Sequence, residues 1–399
     1  MFHGRPPARS FLALIGLALL GLVAAGCAAP QGVRSSAGLP EPATLLTGVV
    51  LFGAPVSADE LPDAEVRALD QDMRAFVAAA VAGTQSHDAR LERLLHAMLM
   101  SGLFSLDYQS EMTLTAQETF HRGVGNCLAF TNLFVALARE ARLRVQYQQV
   151  QAPAMWSGDA QTFVFNQHVN VLVRGVSTGR HTPRNQVIDF NQPDFRGRHP
   201  QRPISDAELD ALFYNNLGAE SLQEGAHRVA MVYFLKALRV HGDSPETWTN
   251  LGVLYRRHDH LEHAESAFHR ALLSDPQYKP AMSNLVRLFE HRELPELAEE
   301  YRGRIRRHQE RNPFHHYAQA ETAHASGQHD EALAAVDRAL RLRRDEHIFH
   351  FLRARILAST GRLEDSRASL ERARQHALLD PAKAMYDRKL EGLQSRSSR

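Results

Sequence analysis

The chain has 399 residues, 44% apolar and 23% charged, with 46 Lys and Arg against 45 Asp and Glu for a formal net charge of +1. That length exceeds one ordinary core and predicts two or three domains, and the composition excludes a disordered chain. A balanced charge, with no basic run interleaved with aromatics, gives no footing for nucleic-acid binding.

At the N-terminus, Arg5 and Arg9 precede an apolar run from Phe11 to Leu20, and Ala24, Ala25 and Gly26 stand before Cys27. This is the three-part layout of a signal peptide. The apolar stretch of about 15 residues is short of the roughly 20 that span a bilayer; an uncleaved anchor helix is the alternative. Residues 1–27 resemble a bacterial lipoprotein leader and lipobox, which implies lipidation at Cys27. Ala28 follows where an aspartate would retain the protein at the inner membrane, so the resemblance implies the cell envelope, on the periplasmic face of the outer membrane. Lipidation would leave Cys127 as the free thiol of the mature chain, since the sequence holds only these two cysteines.

Residues 28–57 are rich in Ala, Pro, Gln, Gly and Ser and read as a linker. From residue 58, Val66, Leu69, Met73, Phe76 and Val77 recur at helical spacing, and a second helix runs through residues 90–100. A third segment, 115–120, leads into Gly123-Val-Gly-Asn-Cys127, after which Leu128, Leu133, Phe134, Leu137 and Ala141 form a buried helical stripe. The period then changes to two: 145–150, 163–173 and 186–190 alternate and predict strands. Helices followed by strands predict an α+β domain over 58–205.

Beyond it the sequence repeats every 34 residues. In the block 245–278, Trp248, Leu251, Gly252, Tyr255, Ala264, Phe268, Ala271 and Pro276 fall in order on the tetratricopeptide signature, which the stretch 211–380 resembles over five units. One small-residue position reads Gly218, Gly252, Val286, Ala320 and Ala354; another reads Ala230, Ala264, Ala298, Ala332 and Ser366. Small side chains there let helices approach closely and repeats stack into an all-α solenoid. Arg302 occupies an aromatic position, which predicts a local irregularity, and 381–399 read as a capping helix and tail.

Cys127 stands at a predicted helix start with Asn126 as N-cap. Unpaired N–H groups and the helix dipole favour a thiolate there and can stabilise an oxyanion. The plainer reading is a small cysteine that packs. His168 lies in one predicted strand and Asp189 in the next, the types needed for a base and its orienting carboxylate. Thr115 to Phe120, Gly125-Asn126-Cys127, Phe165 to Val171 and Val187-Ile-Asp189-Phe together resemble the transglutaminase-like superfamily. The resemblance implies a papain-like fold with Cys127 as nucleophile, His168 as base and acid, and Asp189 orienting it. Asp194, His181 and His199 rank below this set as neighbouring groups, and Val169 replaces an aromatic common in the superfamily.

No cofactor or metal is implied; His258, His260 and His263 in one turn, with His315 and His316, read as solvated histidines rather than a metal site. Two functions follow. One is an envelope-anchored cysteine-dependent hydrolase or acyl transferase acting on a peptide or amide bond, with the repeats recruiting a protein partner or substrate. The alternative is a non-catalytic, membrane-tethered scaffold for protein or peptide partners with a vestigial transglutaminase-like module.

Overall fold

The computed structural model describes residues 38–103, 107–150, 168–176, 184–190, 201–377 and 380–397. Cys27 and the leader, the first part of the linker, and Asp194, His181 and His199 lie outside the described residues. Within them the chain is mostly helical, with a two-stranded and a four-stranded sheet, and no helix is long and apolar enough to cross a membrane.

Residues 38–57 are not the linker that their composition predicts. They hold two short helices, α1 (Pro42–Leu45) and α2 (Val49–Phe52), packed against the repeats. Leu45 is fully buried, the Tyr255 hydroxyl donates to its carbonyl at 2.6 Å, and Ser266 Oγ donates to the Pro40 carbonyl at 2.7 Å. Gly48 has φ +66°, and a Cβ there would meet Val56 Cγ2 at 2.9 Å, so the strap turns tightly on itself. Leu45 and Val56 are the buried anchors of this segment, and Leu46, Leu51 and Phe52 pack against the same core, although its composition carries no period.

Helices α3 (Gln71–Ala80) and α4 (His87–Met100) start at capping side chains. Asp70 accepts from the Met73 amide at 2.9 Å and Ser86 from the Ala89 amide at 3.1 Å. Helix α5 (Ala116–Arg122) begins at a reciprocal box between Thr115 and Glu118 and ends at Gly123, φ +68°. Two-residue strands β1 (Asp107–Tyr108) and β2 (Val124–Gly125) pair in parallel and lead into α6 (Cys127–Glu140). Strands β3 (Val145–Val150), β4 (His168–Val176), β5 (Arg184–Ile188) and β6 (Gln201–Pro203) form an antiparallel sheet in the order β5-β4-β3-β6. Helix α6 is apolar nearly all round. Its buried Leu133, Phe134 and Leu137 share one core with Tyr147, Val169, Val171 and Val173 of the sheet.

The same core runs into the helical array. Helices α7 (Asp206–Gln223) and α8 (His227–Val240) form the first pair, and Phe213, Tyr214 and Ala237 pack with the sheet-bearing region. Two bidentate pairs tie them: Arg67 with Asp210 (2.5 and 2.8 Å) and Arg139 with Asp206 (2.6 and 2.8 Å).

Further pairs follow: α9 (Pro245–Arg257) with α10 (Leu261–Ser274), α11 (Lys279–His291) with α12 (Pro295–Glu310), α13 (Pro313–Ala325) with α14 (His329–Leu342), and α15 (His347–Ser359) with α16 (Leu363–His376). A Cβ on Gly218 would lie 2.5 Å from the Phe234 ring, and one on Gly252 2.5 Å from Phe268. The repeat thus preserves a ring seated flat on a helix backbone, a contact that only glycine permits. In α12 the equivalent ring is Arg302, and among its side chains only Ala298 and Tyr301 are buried. The apolar core accordingly divides there: one cluster ends at Tyr301 with Ile305 at its margin, and the next begins at Phe314. The last helix, α17 (Asp380–Ser397), buries Tyr386, whose hydroxyl lies 2.7 Å from His347 Nδ1.

Candidate functional site

Asn126 caps α6 as its sequence position predicts. Its backbone is extended (ψ 179°), Oδ1 accepts from the Ala129 amide at 3.0 Å, and Nδ2 donates to Thr113 Oγ1 at 2.8 Å. Gly125, φ +156°, precedes it; a Cβ there would meet the Ala129 methyl at 2.8 Å, so the chain enters the helix through a position closed to other residues. Cys127 is the first helical residue and is 7% exposed.

The sulfur sits among opposing influences. Burial pushes the thiol up, and the Asp189 charge adds to it; amide hydrogen bonds from Leu128, Cys127 itself and Val169 pull it down. Burial prevails, and the thiol is raised to about 11. The Val169 amide belongs to β4, so the strand that carries His168 abuts the start of α6, where Thr131 Oγ1 also donates to the Val169 carbonyl at 3.4 Å.

His168 opens β4 opposite Val150 and is 4% exposed. Its Nε2 lies 2.7 Å from Oδ2 of Asp189, the residue that follows β5, and Asn170 Nδ2 donates to the same oxygen at 3.3 Å. His168 and Asn170, two apart on one strand, share a face by alternation. The three residues singled out from the sequence, Cys127, His168 and Asp189, therefore occupy one neighbourhood. Such an arrangement can hold an imidazole in one tautomer beside a thiol.

Sequence reasoning missed Tyr108, Asn170 and Thr113 here. Tyr108 pairs with Gly125 across β1 and β2 and is partly exposed. Burial raises its phenol to about 12, and the charge of Cys127 acts in the same direction. A two-residue strand leaves no periodic signal, so only the fold could bring this phenol to the thiol.

A second candidate is a groove of about 640 Å³ where the array's core divides. Ala318, Ala323, Ala334 and Ala335 line it together with Lys279, Asn312, His315, Gln319, Glu331 and Arg338. Burial lowers the Lys279 ammonium, and burial, with His316 and Lys279 nearby, lowers His315. The other histidines pair rather than cluster: His258 Nε2 lies 2.8 Å from His227 Nδ1, and the His260 and His263 rings are 5.8 Å apart. Among the described residues no three His, Cys, Asp or Glu side chains converge in a geometry that could hold a metal ion.

Comparison with known proteins bears on the array. The family model described as Tetratricopeptide repeat matches residues 317–378. A solved structure from Pseudomonas aeruginosa, described as a functional characterization of pilF, is 18% identical and aligns over 47% of this chain and 94% of its own, with a TM-score of 0.25. A tetratricopeptide repeat protein from Parabacteroides merdae is 18% identical over 47% of this chain and 73% of its own, TM-score 0.24. YrrB, described as a TPR protein with an unusual peptide-binding site, is 17% identical over 46% of this chain and 94% of its own, TM-score 0.24. No curated protein matches the sequence. Residues 317–378, from α13 through α16, therefore carry tetratricopeptide repeats, and proteins built from such repeats commonly bind protein or peptide partners.

Proposed function

We propose that this chain is a protein-interaction scaffold, whose tetratricopeptide array holds a protein or peptide partner while the sheet-bearing module supports it. The observation that carries this reading is the groove at the division of the array's core, lined by alanines together with amide, cationic and acidic side chains, Glu331 being the acidic one. Small alanine side chains leave room for an extended backbone, and the lining amides can satisfy its polar groups. The leader sequence supports a further part of the proposal, that lipidation of Cys27 tethers the scaffold to a membrane in the cell envelope. The burial of Cys127, which raises its thiol, favours this reading over catalysis.

A second reading is favoured by one specific geometry, the 2.7 Å bond between His168 and Asp189 beside Cys127. In it the module is transglutaminase-like and papain-like in fold. The Cys127 thiolate, its proton taken by His168 Nδ1, attacks an amide or peptide carbonyl while amides at the α6 start receive the oxyanion. The C–N bond breaks as His168 protonates the leaving amine, and water or a second amine then displaces Cys127 from the thioester.

Complementation separates the two. In cells lacking the protein, the Cys127→Ala chain is expected to restore the wild-type phenotype fully, and the Lys279→Glu, Arg338→Glu chain to fail at equal abundance. Loss of function in Cys127→Ala with the groove variant intact would overturn the scaffold reading in favour of the thiol.

A further inference from the structure

The first helix of the array reaches the start of α6 through a continuous set of hydrogen bonds, half-buried at Glu220 and buried at Asn126. Glu220, on α7, accepts with Oε1 from both the Thr113 amide (3.0 Å) and the Thr113 hydroxyl (2.6 Å). Thr113 Oγ1 in turn accepts from Asn126 Nδ2 at 2.8 Å, and Asn126 Oδ1 holds the Ala129 amide at 3.0 Å. Thr113 is 4% exposed and Asn126 3%. The neighbouring Met112 carbonyl also takes the Asn126 amide at 3.1 Å.

The direction of these bonds is informative. A threonine hydroxyl has one proton, and here it is given to Glu220, so its lone pairs are left to accept from Asn126. Fixing Nδ2 in this way decides which end of the Asn126 amide faces the helix. Its oxygen is the end that caps Ala129 and so sets the orientation of the first turn. That turn supplies the Cys127 and Leu128 amides that favour the Cys127 thiolate. Without Glu220 the hydroxyl can rotate and donate elsewhere, and the asparagine loses the partner that fixes its orientation.

We propose that Glu220 is a positioning residue for Cys127, acting through Thr113 and Asn126, so that the repeat array and the thiol site are mechanically joined. The meaning of this coupling for chemistry rests on the second reading above; the coupling itself does not. A partner that shifts α7 would alter the support of the α6 first turn, although its groove is made by later repeats.

The test uses the full chain with Cys27→Ala, leaving Cys127 as the single thiol, and compares wild type, Glu220→Ala and Glu220→Gln. Iodoacetamide alkylation of Cys127 is followed from pH 6 to 9, and amide exchange is followed at Leu128 and Ala129. Glu220→Ala is expected to slow alkylation by about three- to tenfold at every pH, because the thiolate fraction falls. Mere loosening would speed alkylation. Glu220→Gln keeps an Oε1 acceptor for both Thr113 donors and is expected to stay within about twofold of wild type. Exchange at Leu128 and Ala129 is expected to rise about tenfold in Glu220→Ala, with α15 unchanged. Alkylation of Glu220→Ala as fast as wild type or faster overturns the inference. If wild-type Cys127 does not alkylate at all, the catalytic reading is lost and exchange alone decides: a local rise supports the coupling, and no change refutes it.

Discussion

In the array one contact recurs at a fixed interval, Gly218 beneath Phe234 and then Gly252 beneath Phe268, whereas in the sheet-bearing region the polar side chains form linked contacts, none of which repeats. The array is a sum of similar local interfaces, so one defect, Arg302 in α12, divides its core without dissolving the helices on either side. The sheet-bearing region has no such tolerance. His168 depends on Asp189, Asn126 on Thr113, and Thr113 on Glu220, which lies over ninety residues further along the chain. Repetition gives robustness and leaves a groove where it lapses; unrepeated networks give geometry.

Substitutions at equivalent repeat positions sharpen this contrast most. Phe268→Ala removes a fully buried ring and is expected to cost about 3–5 kcal/mol in denaturant unfolding. Arg302→Ala, one repeat later, loses only partly exposed pairs with Glu290 and Glu299 and is expected to cost less than about 1 kcal/mol. Equal costs would mean that the α12 division is not a real weakness in packing.

The unrepeated network is broken next. Asp189→Ala leaves His168 without its carboxylate and should destabilise the fold by about 1–3 kcal/mol, with Asp189→Asn recovering part. A change within error in both would show that the pair contributes nothing to holding the strand ends. Tyr255→Phe, which removes the bond to the Leu45 carbonyl, should cost about 0.5–1.5 kcal/mol and make the bonds before residue 57 more sensitive to protease. Unchanged proteolysis would return residues 38–57 to the status of a linker.

The same network also carries a pH dependence. Burial raises the Glu220 carboxyl from 4.5 to about 7, with Glu224 and Glu111 adding repulsion and the Thr113 bonds opposing it; Tyr233 of α8 also lies within its field. A raised carboxyl binds more protons folded than unfolded, so its stabilisation is full below pH 4.5 and is lost as pH rises through about 7. Melting curves should therefore show wild type losing stability relative to Glu220→Gln between these limits. Parallel curves would place Glu220 in water.

The two regions also differed in how far the sequence disclosed them. The five helix pairs were legible because Ala230, Ala264, Ala298, Ala332 and Ser366 stand at one interval, and stacking geometry demands small residues there. Cys127, Asn126, His168 and Asp189 were legible as types: a capping asparagine marks a helix start, and strand alternation marks the histidine. Their partners were not. Tyr108, Thr113, Asn170 and Glu220 acquire their roles from tertiary approach, which no local period encodes. The strap at 38–57 was misread for the same reason, since a few apolar anchors without a period look like a linker.

The reactivity of Cys127 tests the scaffold account most directly. In the folded Cys27→Ala chain at pH 7.5, an iodoacetamide probe should label Cys127 more slowly than it labels the cysteine of an unfolded peptide, because burial raises the thiol to about 11. Labelling faster than the peptide, abolished by His168→Ala, would contradict the scaffold account and make the thiol the purpose of the fold.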